Sequence, residues 1–126
     1  MPGKIHYIHH VNFPTTDPEK TKEWYSKVFG LKHVDVGALS DTKVLLMTAG
    51  DCDIHFTPVT EKRRMDPFHF AIEVENWDET IAHLKSIGVR FTKPFYRPQN
   101  DSTLSYIRDP DNNLVELTYH GKLRKK

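Results

Sequence analysis

Cysteine is nearly missing from this chain: Cys52 is the one thiol in the sequence. That excludes an intrachain disulfide and fits a reducing compartment. Long hydrophobic runs are missing too. No stretch approaches the roughly 18 apolar residues of a membrane helix, and the N-terminal stretch has no signal-peptide core. Net charge is small, at +1, which argues against nucleic acid or an acidic lipid surface as a bulk partner. The basic end, Lys122-Leu123-Arg124-Lys125-Lys126, reads as a solvated tail. These absences predict a cytoplasmic protein with neither a nucleic-acid nor a membrane partner. The 126 residues, 37% apolar and 28% charged, are an ordinary globular composition. They predict a single domain over 1–126, with one core or two small ones sharing an interface.

Ile5 to Phe13 is rich in β-branched and aromatic residues and ends at Pro14, a strand signature. Asp17-Pro18-Glu19 then opens a helix: Asp17 suits the N-cap, Pro18 the first turn, and Glu19 the positive helix end. Trp24, Tyr25, Val28 and Phe29 recur at helical spacing, and Gly30 closes the helix. Leu31 to Val36, Lys43 to Thr48 and Asp53 to Val59 read as strands, with turns at Gly37 to Asp41 and Ala49 to Asp51. The charged stretch Glu61 to Pro67 reads as a linker. A strand over Phe68 to Val74 follows, then a helix opened by Asn76 with Glu79 in capping-box position. Ile81, Leu84 and Ile87 form its apolar stripe and Gly88 ends it. Strands over Val89 to Thr92, Ser102 to Arg108 and Leu114 to Tyr119 complete the chain, with a loop at Pro94 to Asn100 and a tight turn at Asp109 to Asn113.

The order strand, helix, three strands therefore occurs twice. Module one covers about 5–60 and module two about 67–120. Anchors keep step between them. His10 and His69 lie 59 positions apart, as do Asp17 and Asn76; Gly30 and Gly88 lie 58 apart, and His55 and Glu116 lie 61 apart. His10, His55, His69 and Glu116 thus occupy matching places on the first and last strands of the two modules. A pseudo-twofold axis would gather three imidazoles and one carboxylate around a point. That donor set suits iron, manganese, nickel, cobalt or zinc, and suits calcium or magnesium poorly. Taken singly, each histidine also reads as a packed, hydrogen-bonded strand residue, and Glu116 as a solvent-facing one.

Three stretches carry a resemblance to a known family. They are His9-His10-Val11 leading to Asp17 and Phe29-Gly30-Leu31, then Phe68-His69-Phe70-Ala71-Ile72, then Tyr106 through Leu117 with its Asp109-Pro110-Asp111-Asn112-Asn113 turn. From about Ile5 to Tyr119 the chain resembles the vicinal oxygen chelate superfamily of glyoxalases, bleomycin-resistance proteins and extradiol dioxygenases. It stands nearest the small glyoxalase I-like members. In the family's turn a glycine usually stands where Asn112 stands here, and asparagine tolerates the left-handed conformation.

The resemblance implies an α+β fold of two tandem βαβββ modules whose curved mixed sheets form a metal-binding cleft. It implies one divalent transition metal (Ni, Zn, Fe, Mn or Co) held by His10, His55, His69 and Glu116, within one chain or shared across a homodimer. It also implies Glu116 and His55 as catalytic residues, His55 serving as ligand or base where glyoxalase I often has glutamate. His9, next to His10, is expected on the opposite face. The implied reaction is a glyoxalase I-like (lactoylglutathione lyase-like) isomerisation of a small substrate with adjacent oxygens, through a metal-bound enediolate. The alternatives are an Fe(II) extradiol-type dioxygenase and a resistance protein that binds a drug or metabolite without chemistry. Arg97 and Arg108 are candidates to hold an anionic substrate, with surface charge as their competing reading. Tyr106 is a candidate to orient a substrate oxygen, with core packing as its competitor.

Overall fold

A computed structural model describes residues 3–35, 43–62 and 65–121. The expected turn at Gly37 to Asp41, the end of the Leu31 to Val36 strand, Arg63 and Arg64 of the linker, and the basic tail from Lys122 lie outside the described residues. The chain divides into two compact units, Met1–Arg63 and Arg64–Lys126.

The first unit runs β1 (His10–Thr15), α1 (Pro18–Phe29), β2 (Lys32–His33), β3 (Leu45–Thr48) and β4 (Asp53–Pro58). The second repeats the order as β5 (His69–Glu73), α2 (Trp77–Ser86), β6 (Phe95–Arg97), β7 (Ser102–Arg108) and β8 (Leu114–His120), with a 3-10 turn at Pro98–Asn100. Each unit builds one four-stranded mixed sheet, in the orders β1-β4-β3-β2 and β5-β8-β7-β6. In both, the first strand pairs in parallel with the last and the other pairings are antiparallel. This is the α+β tandem βαβββ arrangement that the sequence predicts.

The helices begin and end where their caps dictate. The Asp17 carboxylate accepts from the Lys20 N–H at 3.2 Å, and the Asn76 side chain accepts from the Glu79 N–H at 3.0 Å. Gly30 takes φ +68° and donates to Ser26 O, so α1 stops in a left-handed cap that glycine enters without steric cost. In the first unit, Phe13, Leu45, Met47, Ile54 and Phe56 turn to one face with Tyr25 and Val28 of α1. The Tyr25 and Phe56 rings lie 4.6 Å apart and both are fully buried; burying such a side chain contributes about 1.5–3 kcal/mol. In the second unit Leu104, Ile107, Val115, Leu117 and Leu84 of α2 are buried. No described helix is long and apolar enough to cross a membrane.

β2 is shorter than expected, ending at His33, and two other strands differ in where they form. β1 starts at His10, because its partner β4 starts at Asp53, and it continues through Pro14. Proline fits there because β1 is an edge strand of its sheet, where a missing N–H breaks no ladder. The strand expected over Val89 to Thr92 forms instead at Phe95–Arg97. Thr92 still ties to β7, through its N–H to Tyr106 O and its Oγ1 to the Tyr106 N–H, but Pro94 has no donor to continue a ladder.

Candidate metal centre

Strand alternation aims the candidate donors. In the first sheet His10 sits beside Asp53, and Asn12 beside His55. Ile54 and Phe56 take the core face, so Asp53 and His55 turn to the other face with His10. The His10 and His55 rings stack with centroids 3.8 Å apart and an interplanar angle of 19°. Burial first, and the charge of His10 second, push the His55 imidazole below its ordinary pKa against the opposing pull of Asp53. The neutral ring is the form that ligates a metal or takes up a proton.

His9 does not point away as alternation predicts. It lies just outside the ladder and turns its Nδ1 to within 3.0 Å of the Nδ1 of His10. Asp53 was not singled out from the sequence. Its Oδ2 lies 3.8 Å from His55 Nε2 and 3.9 Å from His9 Nε2. The available signal was its position two residues before His55, which puts both on one face.

The second sheet repeats this register. His69 sits beside Leu114 and Ala71 beside Glu116, so His69 and Glu116 stand in the relation that His10 and His55 have in the first. His69 Nδ1 is 2.8 Å from Pro67 O, and its Nε2 is 3.1 Å from Glu116 Oε1. With Nδ1–H donated to that carbonyl, Nε2 presents its lone pair to a carboxylate oxygen. Two electron-pair donors that close need a proton or a cation between them, and a fixed Nδ1–H is how metal-binding histidines are oriented. The donors in this unit therefore fit a transition metal. Tyr106 donates its hydroxyl to Glu116 Oε1 at 3.3 Å and sets its ring edge-on to His69. Burial, then Glu116, raise the Tyr106 pKa, which keeps the phenol protonated and donating.

The two arginines part company. Arg108 makes a two-pronged pair with Asp66, both contacts at 2.7 Å. Arg97, half-buried on β6, makes no ion pair among the described residues. A further couple escaped the sequence reading: His120 gives its backbone N–H and its ring Nδ1 to the two oxygens of Glu73, at 2.8 and 2.7 Å. The candidate donors thus stand as His10 with His55 in one unit and His69 with Glu116 in the other. Within either unit, no group of three or more His, Cys, Asp or Glu among the described residues is gathered to hold a metal.

The turn that delivers Glu116 is built on Asp109, whose carboxylate accepts the N–H groups of Asp111 and Asn113 and the Asn113 side-chain amide. Asn112 takes φ +67°, the left-handed place that the substitution for glycine has to fill.

The model of the Glyoxalase/Bleomycin resistance protein/Dioxygenase superfamily matches residues 7–117. The chain belongs to that superfamily. It is 33% identical over 119 residues to a Bacillus subtilis protein described as a "Probable trivalent organoarsenical cleaving enzyme", covering 87% of this chain and 77% of that one. The solved structure of a glyoxalase family protein from Bacillus anthracis superposes with a TM-score of 0.83 at 22% identity, covering 96% of this chain and all of that one. A variant of the fosfomycin resistance protein FosX from Listeria monocytogenes, complexed with Mn(II) and 1S,2S-dihydroxypropylphosphonic acid, superposes with a TM-score of 0.78 at 21% identity, covering 97% of this chain and 98% of that one. The superfamily thus includes enzymes and metal-binding members.

Proposed function

We propose that this superfamily member is a metal-dependent enzyme in which His10, His69 and Glu116 hold one divalent transition metal, with His55 as a fourth donor or as a base. The reaction we assign is a glyoxalase I-type isomerisation of a small substrate with adjacent oxygens. The observation that carries the reading is the His69–Glu116 pair, with its Nδ1 fixed on Pro67 and its lone pair facing a carboxylate oxygen. The matching His10–His55 pair supplies the remaining donors, within one chain or from the second chain of a homodimer. A bound metal would polarise the substrate's adjacent oxygens.

The chain's own groups do the rest. Glu116 takes a proton from the hydroxyl-bearing carbon and returns it to the neighbouring carbonyl carbon, while the hydroxyl proton passes to the former carbonyl oxygen, so no outside oxidant or reductant is needed. Tyr106 holds the Glu116 carboxylate by its hydroxyl and is the group we assign to orient a substrate oxygen. His55, whose pKa burial lowers, is available as a second proton acceptor. Arg108 is given no substrate role, because Asp66 occupies its guanidinium.

Likeness to the organoarsenical cleaving enzymes favours a second reading, cleavage of a trivalent organoarsenical. Trivalent arsenic prefers thiolate ligands. One chain offers only Cys52, exposed beside β4, so a two-thiolate site would need two chains. Fe(II) extradiol-type ring cleavage remains the oxygen-dependent alternative for the same donors.

The test is metal analysis of tag-free protein, followed by turnover assays across reconstituted metals. We expect one divalent metal per site, lost in His69→Ala, and turnover of methylglyoxal with glutathione or another thiol when nickel or zinc is loaded. Oxygen uptake on catechols with iron would replace the isomerase by the dioxygenase. Absence of stoichiometric metal, with binding unchanged in His69→Ala, sinks every catalytic reading that uses these donors.

A further inference from the structure

The face of the second sheet that carries Glu116 has a graded composition. The register places Tyr106 beside Glu116, Leu104 beside Phe95, and Ser102 beside Arg97. Along β7 these rows are two residues apart, so they share a face and succeed one another every 7 Å or so. The first row bears the carboxylate and the phenol. The second row is apolar at Phe95 and Leu104 and turns polar at Thr118 and Glu73 on the neighbouring strands. The third presents a guanidinium.

Arg97 differs from an incidental surface arginine in three respects. It stands on the face that carries Glu116, it is half-buried, and it makes no ion pair among the described residues. The neighbouring strand supplies His120 to the same row, but Glu73 already holds the His120 ring and backbone N–H. Arg97 is therefore the donor in that row left for an external acceptor. A half-buried guanidinium gains most from an oxyanion that can meet two of its N–H groups at once.

We propose that Arg97 is the far end of the substrate site and that the substrate is a short molecule with two ends. One end presents adjacent oxygens at Glu116 and Tyr106. An apolar spacer lies along the exposed Phe95, beside the buried Leu104. The other end is a terminal oxyanion, such as a carboxylate, bound by Arg97. The oxygen end rests on the metal-site reading above; the oxyanion end rests on the placement of Arg97.

Two chelators test the two ends separately. Acetohydroxamate offers adjacent oxygens and nothing more; succinic monohydroxamate offers the same pair and a carboxylate on a two-carbon spacer. Binding of each to the Mn(II)-loaded full chain is measured by titration calorimetry for the wild type, Arg97→Gln and Arg97→Lys, with thermal melts to establish that each variant folds. The wild type should prefer the acid-bearing chelator by about ten-fold or more, the worth of one charge-assisted pair. Arg97→Gln should erase that preference while leaving acetohydroxamate binding unchanged, and Arg97→Lys should keep part of it. Equal affinity for the two chelators in the wild type, or a preference that survives in Arg97→Gln, overturns the proposal. Failure of both chelators to bind overturns the metal end, and the two-ended substrate with it.

Discussion

Removing the Asp109 carboxylate should destabilise the second unit far more than its position in a turn suggests. Asp109 is 5% exposed. One oxygen accepts the backbone N–H groups of Asp111 and Asn113, both at 2.9 Å, and the other accepts the Asn113 amide at 2.8 Å. Hydrogen bonds to a charged acceptor are each worth roughly 1.5–3 kcal/mol, and a buried donor left unmatched costs about 1–3 kcal/mol. Three bonds converging on one group do not add, so Asp109→Ala should cost about 3–5 kcal/mol. Asp109→Asn keeps the shape but sets an NH₂ against a donor, for about 2 kcal/mol. The assay is urea unfolding followed by Trp77 fluorescence in a Trp24→Phe background, with midpoints and slopes compared. A loss below about 1 kcal/mol for Asp109→Ala, or an Asp109→Asn variant as stable as its parent, would refute the claim that this carboxylate organises the turn.

Other perturbations read different parts of the structure. Gly30→Ala puts a side chain at φ +68° with open space around it, so conformation alone sets its cost at about 1 kcal/mol, with Gly30→Asn cheaper; equal thermal stability of Gly30→Ala and wild type would count against the left-handed cap. His55 titrates below its ordinary value in the folded chain, so the unfolded chain takes up the proton first. Its contribution is present above the usual histidine range, near roughly 6.5, and is lost as pH falls through that value toward the lower folded one. Metal-free His55→Gln should show a shallower acid limb of stability than the wild type, and an equally steep limb would assign the loss to other groups.

Much of the fold was legible because local chemistry and tertiary structure agree. Asp17, Asn76 and Gly30 sit where side-chain capping and left-handed freedom demand, and the alternation around Val115 and Leu117 allows one register only. The positions that misled are those where a partner decides. Residues before His10 are strand-like in composition, but β4 offers them no ladder. Val89 to Thr92 has strand propensity, yet its contact with β7 is confined to the backbone and side chain of Thr92 and stops at Pro94. The pairing of His69 with Glu116 belongs to the repeat, which sequence spacing exposes. The capture of Arg108 by Asp66 depends on side-chain reach, which no spacing encodes, whereas for Asp53 the spacing to His55 gives the shared face but not the approach itself.

The alternation along β8 ties chemistry to folding in a way that bears on how such a chain can change. Val115 and Leu117 are fully buried and Glu116 lies between them on the other face. A one-residue insertion or deletion in the 109–113 turn would slip the strand and exchange its faces, driving a carboxylate into the core and two aliphatic side chains out of it. Such a chain would fail to fold before it could drift toward weak activity. Length changes in that turn are thus closed to this lineage, while the 95–100 segment, joined to the sheet by three residue pairs, is free to lengthen and to diversify what is bound.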